Sequence, residues 1–391
     1  MNKNNRKEQE IHINKNAAIA VLITFCVFLV CLIVMTSCMI ANAIEDATDY
    51  PIYTGGSGGG GSNNKLDKPS ASLSKPGTKT GIILPSVTKE GTYLAVNSDK
   101  TLDVSTDKDI DSGAIVLTDI TDGVVVAGKS ADEKIYPASM TKVMTLLVAC
   151  ENAKDANAKL TVTEEMINKY RKAGNSGGSV AFEWKAGYTV TVEDVLHLII
   201  YQSDTFACWL IADYIAGGEE QFVALMNQRA EALGLTATHF TNCTGLYNTE
   251  HYTTCREMAA IMAAAMNNPA ATAVLGDRNQ YFVDVYQDGS NESTKMGMWS
   301  GWYTERLEKY KYANTAPYYA GKGSDIMMVG GKTGYEDIPT SCFVTAGVDD
   351  VTGRRYVCVQ VGRINKEQST VNTSTSTFDT REMYWKYAKE D

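Results

Sequence analysis

Ser139 and Lys142 lie three positions apart where the sequence predicts the start of a helix. On a helix this spacing places both side chains on one face. Pro137 suits a first-turn position, so the hydroxyl would lie at the positive end of the helix dipole. A serine hydroxyl is a weak nucleophile until a base removes its proton. Lys142 can be that base when its amine is neutral, so the pair predicts lysine-assisted nucleophilic catalysis.

Two further motifs follow along the chain. Ser203-Asp204-Thr205 supplies a second serine hydroxyl, and Lys332-Thr333-Gly334 lies at a glycine-flanked strand start. Burial and a nearby cation both favour the neutral form of a lysine, and Lys332 is the candidate cation beside Lys142. A Ser-x-x-K pattern alone is common by chance. The three motifs in this order make the catalytic interpretation much stronger.

The strands and helices that position these residues can be predicted from the sequence. Strand patterns occur near both ends of the folded region, and helical patterns lie between them. One helix is predicted to begin at Thr191, with acidic residues in its first turn. Further helices are predicted at Thr205–Ala216 and, at the end of the chain, at Thr380–Lys389. The sequence therefore predicts an α/β fold in which an antiparallel sheet, built from both ends of the domain, is covered by helices.

The N-terminal residues predict a membrane segment. Residues 17–44 are almost uninterruptedly apolar, and about 20 such residues suffice to cross a bilayer. Basic residues precede the segment and acidic residues follow, which places residues 1–16 in the cytoplasm. We expect a single-pass anchor in the cell membrane and an extracytoplasmic catalytic domain. A cleaved signal peptide ending near Ala43 or a lipidated Cys38 would also export the domain.

The remaining chain divides into two parts. Residues 45–90 contain GGSGGGGS and a Pro/Ser/Lys segment, which predict a flexible linker. Residues 91–391 are long enough for one large core and form the predicted catalytic domain.

Charge and cysteine content narrow the function classes. The formal net charge is −10 and there is no long basic run, so no nucleic-acid partner is expected. The nine cysteines include no C-x-x-C pair, which argues against zinc. Cys243 and Cys255 could form a disulfide, although buried free thiols are favoured. None of the four histidines forms a metal-binding or catalytic pattern.

The segment Tyr136–Lys142 resembles the nucleophile segment of serine-type D-Ala-D-Ala carboxypeptidases, the low-molecular-mass penicillin-binding proteins. Lys332-Thr333-Gly334-Tyr335 resembles the third motif of that family, and Thr238–Asn242 with Thr244-Gly245-Leu246 resembles its mid-domain turn. The likeness covers Gly113 to Gly362 and the last helix. It implies a β-lactamase/transpeptidase-like fold.

The resemblance also implies roles. Ser139 would attack the carbonyl of the D-Ala-D-Ala bond with Lys142 as base, and Ser203 would pass a proton to the leaving amine. Lys332 and Thr333, with Thr205 and Gly334, would bind substrate, and the N–H groups of Ser139 and Tyr335 would form the oxyanion hole. Peptidoglycan stem peptides would be the substrates and β-lactams covalent inhibitors. No metal or organic cofactor is implied.

The sequence departs from the family pattern in four places. Thr205 stands where the second motif normally has asparagine. Many relatives carry an arginine near the final helix that helps hold the substrate carboxylate, and residues 373–377, which lead into that helix, contain no basic residue. Arg363, Arg381 or Lys389 would have to substitute. The stretch 278–324 is long and aromatic, and is interpreted as packed strands rather than a glycan platform. The sequence ends at the predicted closing helix, so the C-terminal β-rich domain that many relatives carry is not expected.

These departures leave two rival functions open. A β-lactamase of class A would need a glutamate to activate the deacylating water, and no E-x-x-L-N-like segment follows Ser203. A non-catalytic muropeptide-binding protein is suggested by Thr205. We expect a D-Ala-D-Ala carboxypeptidase that trims stem peptides through an acyl-enzyme.

Overall fold

The computed structural model describes residues 79, 81–173, 179–277, 280–287, 290, 292–298, 325–336, 340–364 and 375–388. Within them, six strands form one sheet in the order β1-β3-β2-β10-β9-β8. These strands are β1 (Val96–Asp103), β2 (Ala114–Asp119), β3 (Val124–Lys129), β8 (Ile326–Glu336), β9 (Thr340–Asp349) and β10 (Arg355–Val361). The sheet thus joins strands from both ends of the domain, as predicted. It is antiparallel except for the parallel β1–β3 pair.

The helices fall mostly between the two groups of strands. A 3₁₀ turn, Ala138–Thr141, leads directly into the first helix. The helices are α1 (Lys142–Asn152), α2 (Glu164–Ala173), α3 (Val192–Tyr201), α4 (Thr205–Ala216), α5 (Glu219–Ala232), α6 (Cys255–Met266), α7 (Pro269–Leu275) and α8 (Thr375–Tyr387).

Alternation along the central strands explains why the sheet carries helices on both faces. Neighbouring residues of a strand point to opposite faces. Val116 belongs to the core on the face covered by α1 and α6, whereas Ile115 and Leu117 belong to a second core that includes Tyr384 of α8. All six residues of β2 are buried. The central strands are therefore held from both sides, and β8, which carries Lys332, pairs with β9 at one edge of this sheet.

A second sheet, which the sequence did not predict, lies in the helical part of the chain. Among the described residues it comprises β4 (Lys159–Thr161), β5 (Thr189–Thr191), β6 (Tyr281–Tyr286) and β7 (Ser293–Met298), in that order. The Tyr281 ring stacks on His197 at 3.7 Å, and its hydroxyl donates to Asp194 Oδ1 at 3.0 Å. The described part of the aromatic stretch 278–324 thus packs as strands; residues 299–324 lie outside the described residues.

Residues 81–90, which the sequence placed in the linker, pack against the domain. Gly81 N donates to Glu193 Oε1 at 3.1 Å, and Ser86 N donates to the Cys150 carbonyl at 2.8 Å. Ile82 and Leu84 are buried in the main core. The folded region therefore includes residues before Gly91, because alternate apolar side chains in this segment cover part of the helix layer.

The predicted membrane segment, residues 17–44, lies outside the described residues. Within the described part of the chain, no single helix is long and apolar enough to cross a membrane; α6 and α7, bent by 106° at their junction, pass that test only as a pair. All six cysteines of the described residues are buried free thiols, as favoured from the sequence. Cys243 and Cys255 therefore do not form a disulfide.

Candidate active site

The Ser139 turn is held by neighbours on both sides. Ile135, four residues earlier, exchanges two backbone hydrogen bonds with Thr253, at 2.8 and 3.0 Å. Met140 N closes the 3₁₀ turn on the Pro137 carbonyl at 3.0 Å. Ala138 has φ +47°, a left-handed conformation that is uncommon outside glycine. Such strained residues concentrate at functional sites, because only the surrounding packing can keep them.

Lys142 is buried at the first position of α1, beside the predicted nucleophile. Its Nζ is 3.1 Å from Ser139 Oγ and donates to the Thr244 carbonyl at 2.5 Å. The helical spacing thus brings the serine and lysine together, as the sequence predicted. Only 2% of the lysine is exposed, so water does not compete for its amine.

The carbonyl of Thr244 comes from a tightly built turn. Asn242 Oδ1 accepts the N–H groups of Thr244 and Gly245, at 3.1 and 2.7 Å, and its Nδ2 donates to the Leu246 carbonyl at 2.9 Å. Gly245 has φ +86°, and a Cβ there would lie 1.9 Å from the Ala138 carbonyl oxygen. Only glycine permits this approach. Sequence reasoning gave Asn242 and Thr244 no role, although Asn-x-Thr-Gly is a recognisable turn signal.

Ser203 and Lys332 form a second serine–lysine pair. Lys332 Nζ donates to Ser203 Oγ at 3.1 Å and to the Thr333 carbonyl at 2.7 Å. Ser203 has φ +54°, so it is held in a left-handed turn between α3 and α4. Lys332 is buried, whereas the Ser203 side chain is partly exposed.

Asp204, the middle residue of the second motif, has a structural role. It is the N-cap of α4: Oδ1 accepts the Ala207 N–H at 2.9 Å. Oδ2 accepts the Ala181 N–H at 2.8 Å and Trp184 Nε1–H at 3.1 Å. Burial raises the pKa of Asp204 above its usual value, although these three donors and the charge of Lys142 oppose the rise. The carboxylate therefore fixes the turn that presents Ser203.

Thr205 is buried at the first position of α4. Its backbone N–H donates to the Ser179 carbonyl at 2.8 Å. The hydroxyl Oγ1 has no hydrogen-bond partner among the described residues. A buried polar atom without a partner costs stability.

Strand β8 passes directly beside the nucleophile turn. A Cβ on Gly334 would lie 2.5 Å from Cys342 Sγ and 3.1 Å from Ser139 N, so the strand can approach this closely only with glycine. Cys342 lies opposite Gly334 on β9. Tyr335 is the next residue on this strand. The strand therefore places Tyr335 beside the turn that carries Ser139, the other residue predicted for the oxyanion hole.

His251 supports the same region without facing the nucleophile. Its Nδ1 accepts the Thr241 N–H at 3.1 Å, so the protonated Nε2 donates to Thr141 Oγ1 at 2.8 Å. Burial, helped by the charges of His239 and Lys142, lowers the pKa of His251 to about 3. The imidazole is therefore neutral and ties the mid-domain turn to the residue before Lys142.

The three basic residues considered for carboxylate binding lie in different places. Arg381 pairs with Glu382 at 2.9 Å and stacks on Phe378. Arg363 lies shortly after β10, and its neighbour Gly362 donates its N–H to the Ser341 carbonyl. Because Ser341 pairs with Tyr335, Arg363 lies at the same end of the sheet as Tyr335. Lys389 lies outside the described residues. In the part of the chain that the structure describes, no group of three His, Cys, Asp or Glu side chains could hold a metal ion.

This arrangement has the parts needed for acyl transfer. A serine hydroxyl lies within hydrogen-bond distance of a buried lysine amine, and a second serine–lysine pair is present. The second pair is linked to the first because the charge of Lys142 acts on Asp204, next to Ser203, and because the strand of Lys332 packs against Ser139 N. Residues 100–363 match the model of the D-alanyl-D-alanine carboxypeptidase family. The chain belongs to this family. The assignment agrees with the resemblance inferred from the three motifs.

Two proteins named D-alanyl-D-alanine carboxypeptidase are similar to part of this chain. DacC of Escherichia coli is 36% identical over 188 residues, 46% of this chain and 46% of DacC. DacF of Bacillus subtilis is 32% identical over 195 residues, 50% of this chain and 47% of DacF. The chain thus spans about half the length of these relatives.

A solved structure supports the fold independently. The Streptomyces K15 DD-transpeptidase superposes with a TM-score of 0.58 at 22% identity, over 72% of this chain and 98% of that one. At this identity the likeness concerns the fold alone. The predicted β-lactamase/transpeptidase-like fold is confirmed.

Proposed function

We propose that the protein is a serine D-Ala-D-Ala carboxypeptidase that removes the terminal D-Ala from peptidoglycan stem peptides. The observation that carries the proposal is the 3.1 Å separation of Ser139 Oγ and Lys142 Nζ within a chain of this family. A neutral Lys142 amine can accept the serine proton over this distance. The same amine can stay in position by donating a hydrogen bond to the Thr244 carbonyl.

The first half-reaction follows from these positions. Ser139 Oγ forms a bond to the carbonyl carbon of the penultimate D-Ala while its proton passes to Lys142. The N–H groups of Ser139 and Tyr335 stabilise the oxyanion. When the peptide C–N bond breaks, Ser203 donates a proton to the leaving amine and recovers one through the lysines. Water then attacks the acyl-enzyme ester while its proton passes to Lys142. The bond between the carbonyl carbon and Ser139 Oγ breaks, Lys142 returns the proton to Ser139 Oγ, and the shortened peptide is released.

Lys332 and Thr333 are proposed to bind the substrate's terminal carboxylate. Lys332 is a buried cation whose amine already contacts Ser203, so a carboxylate there would lie beside the leaving amine. The half-buried Thr333 side chain would add a hydroxyl. Gly334 contributes through its close backbone approach, and the free hydroxyl of Thr205 would take the place of the carboxamide that most relatives use.

Intact-protein mass spectrometry with benzylpenicillin tests the assignment. We expect one penicilloyl adduct on the wild type, mapped by peptide analysis to the segment Tyr136–Lys142. Ser139→Ala should form no adduct, and Lys142→Ala should form it at a greatly reduced rate with an unchanged melting temperature. An adduct on Ser203, or wild-type acylation of Lys142→Ala, would contradict the mechanism.

The same reaction separates the alternative functions. The Lys142 contact in the mid-domain turn goes to a backbone carbonyl and not to a carboxylate that could activate water. The penicilloyl adduct should therefore be long-lived. Rapid repeated hydrolysis of penicillin would instead indicate a β-lactamase, and acylation with no turnover of a D-Ala-D-Ala peptide would indicate a binding protein.

We also propose that residues 17–44 anchor the protein in the cell membrane with the catalytic domain outside. The support is the apolar run with basic residues before it and acidic residues after it. In cell fractionation the protein should remain in the membrane pellet and be degraded by external protease. A soluble form that begins near Ile44 would show that the segment is a cleaved signal.

A further inference from the structure

The carboxylate of Glu219 joins three segments near the active site. Glu219 is the first residue of α5, and its side chain is 21% exposed. Its Oε1 accepts the Trp209 Nε1–H from α4 at 3.0 Å and the Cys243 N–H from the mid-domain turn at 3.4 Å. Its Oε2 pairs with Lys169 of α2 at 3.2 Å. One carboxylate therefore ties the mid-domain turn to two helices.

The backbone of Cys243 controls the carbonyl that Lys142 uses. Cys243 directly precedes Thr244, whose carbonyl accepts the hydrogen bond from Lys142 Nζ. The Cys243 N–H is held by Glu219, and its carbonyl accepts the Thr145 Oγ1–H from α1 at 2.7 Å. Each residue has only two soft backbone dihedrals, so fixing one residue narrows the positions open to the next carbonyl.

Glu219 and Asn242 act on the turn in different ways. Asn242 lies within the turn and accepts the N–H groups of Thr244 and Gly245, so it sets the shape of the turn. Glu219 lies outside it and sets where the turn sits against the helices. Cys243 is completely buried, and its thiol also donates to Glu219 Oε1 at 3.4 Å. Without the carboxylate a buried N–H would lose its acceptor, so the turn would shift.

We propose that Glu219 is a positioning residue for the acylation step: it holds the mid-domain turn so that the Thr244 carbonyl stays within reach of Lys142 Nζ. The inference rests on the proposed function and adds to it a residue that lies in none of the three motifs. Glu219 touches neither substrate nor reacting atoms. If the turn shifts, the Lys142 amine loses its second partner and no longer stays at the distance from Ser139 Oγ that proton transfer requires.

Stopped-flow acylation by benzylpenicillin tests this role, because it separates non-covalent binding from the acylation step. Glu219→Ala should lower the acylation rate constant about 10-fold, as expected when one hydrogen bond of the transition state is lost. The dissociation constant of the non-covalent complex should not change, because Lys332 and Thr333 remain in place. A merely structural role would lower the melting temperature and leave the rate constant of the folded protein unchanged.

Four further variants control the interpretation. Glu219→Gln keeps an acceptor oxygen and should acylate at close to the wild-type rate. Lys169→Met removes only the exposed ion pair, which contributes little, and should also acylate normally. Glu220→Ala removes an exposed carboxylate from the same turn of α5 and should change neither constant. Thr145→Val removes the other hydrogen bond to the Cys243 backbone, so it should slow acylation in the same way. It provides a second test if Glu219→Ala does not fold.

The outcomes separate this inference from the proposed function. The positioning role is wrong if folded Glu219→Ala and Thr145→Val acylate at the wild-type rate, or if Glu219→Gln loses as much as Glu219→Ala. It is also wrong if only the dissociation constant changes. In all three cases the carboxypeptidase assignment stands. If penicillin does not acylate Ser139 of the wild type, the proposed function is itself wrong, and the positioning role with it.

Discussion

Gly334→Ala should inactivate the protein by separating β8 from the nucleophile turn. The added methyl group would lie 2.5 Å from Cys342 Sγ and 3.1 Å from Ser139 N. The first distance is far inside van der Waals contact, so the strand or the turn must shift. That shift would misplace the N–H groups of Ser139 and Tyr335. Loss of one oxyanion-hole donor typically costs a factor of about 10²–10³ in rate.

Overpacking also costs stability, typically about 1–3 kcal/mol, so the experiment needs a control with an equal steric cost. Gly347→Ala is that control. Its Cβ would lie 2.7 Å from Ile326 Cγ2 and 3.1 Å from Tyr384, in the same sheet but in contact with α8 rather than with the nucleophile turn. Both variants should lose similar stability, and only Gly334→Ala should lose acylation.

The assay is the second-order rate of acylation by a fluorescent penicillin, measured beside the melting temperature. We expect Gly334→Ala to acylate at least 100-fold more slowly, with Gly347→Ala close to the wild type. Wild-type acylation by a folded Gly334→Ala protein would refute the reasoning, since β8 would then not set the oxyanion geometry. Equal loss in both variants would show that general destabilisation is the cause.

Two further predictions concern Thr205 and His251. Thr205→Val removes a buried hydroxyl that has no partner among the described residues. Urea unfolding should therefore show that the variant is as stable as the wild type or slightly more stable. If the substrate uses the hydroxyl, kcat/KM should fall about 2–13-fold. Thr205→Asn should raise kcat/KM by a similar factor, and unchanged kinetics in both variants would exclude substrate contact. The pKa of His251 is lowered to about 3 in the folded protein. Below about pH 6.5 the unfolded state therefore binds a proton at His251 that the folded state does not bind. Stability should fall as pH falls from about 6.5 to 3, by up to about 1.4 kcal/mol per pH unit. His251→Gln should remove this part of the slope in urea unfolding measured from pH 7 to 4; an unchanged slope would show that His251 is not buried neutral.

The ends of helices were predicted best where a capping residue lies next to the helix end in the sequence. The helix Thr205–Ala216 was found with the predicted bounds, because Asp204 caps its start and Gly217, with φ +76°, ends it. The N-cap at Thr191 was likewise confirmed, with a full capping box. By contrast, α8 begins at Thr375, five residues before the predicted start at Thr380. The run of threonine and serine that precedes Thr380 carries no helical periodicity.

Elements without a local signal were missed. Strand β1 is mostly exposed and polar, so it shows no alternation of apolar residues. It exists because β3 offers an edge for a parallel pairing. Strands β4 and β5 have three residues each, too short to carry a pattern. Residues 81–90 resemble a linker in composition and are ordered by their contacts with α1, with α3 and with the junction of α6 and α7.

The sequence by itself determined the chemistry of the site. The three-residue interval between Ser139 and Lys142 brings them together through the geometry of one helical turn, whatever the rest of the fold. Only the tertiary structure decided how the remaining parts meet. Lys332 reaches Ser203 across 129 positions through sheet register, and the second partner of Lys142 is a backbone carbonyl at Thr244. Every residue has a backbone carbonyl, so the residue types do not predict which carbonyl contacts Lys142. The contact depends on the turn at Gly245, which packs against the Ala138 carbonyl. Only tertiary packing determines that arrangement.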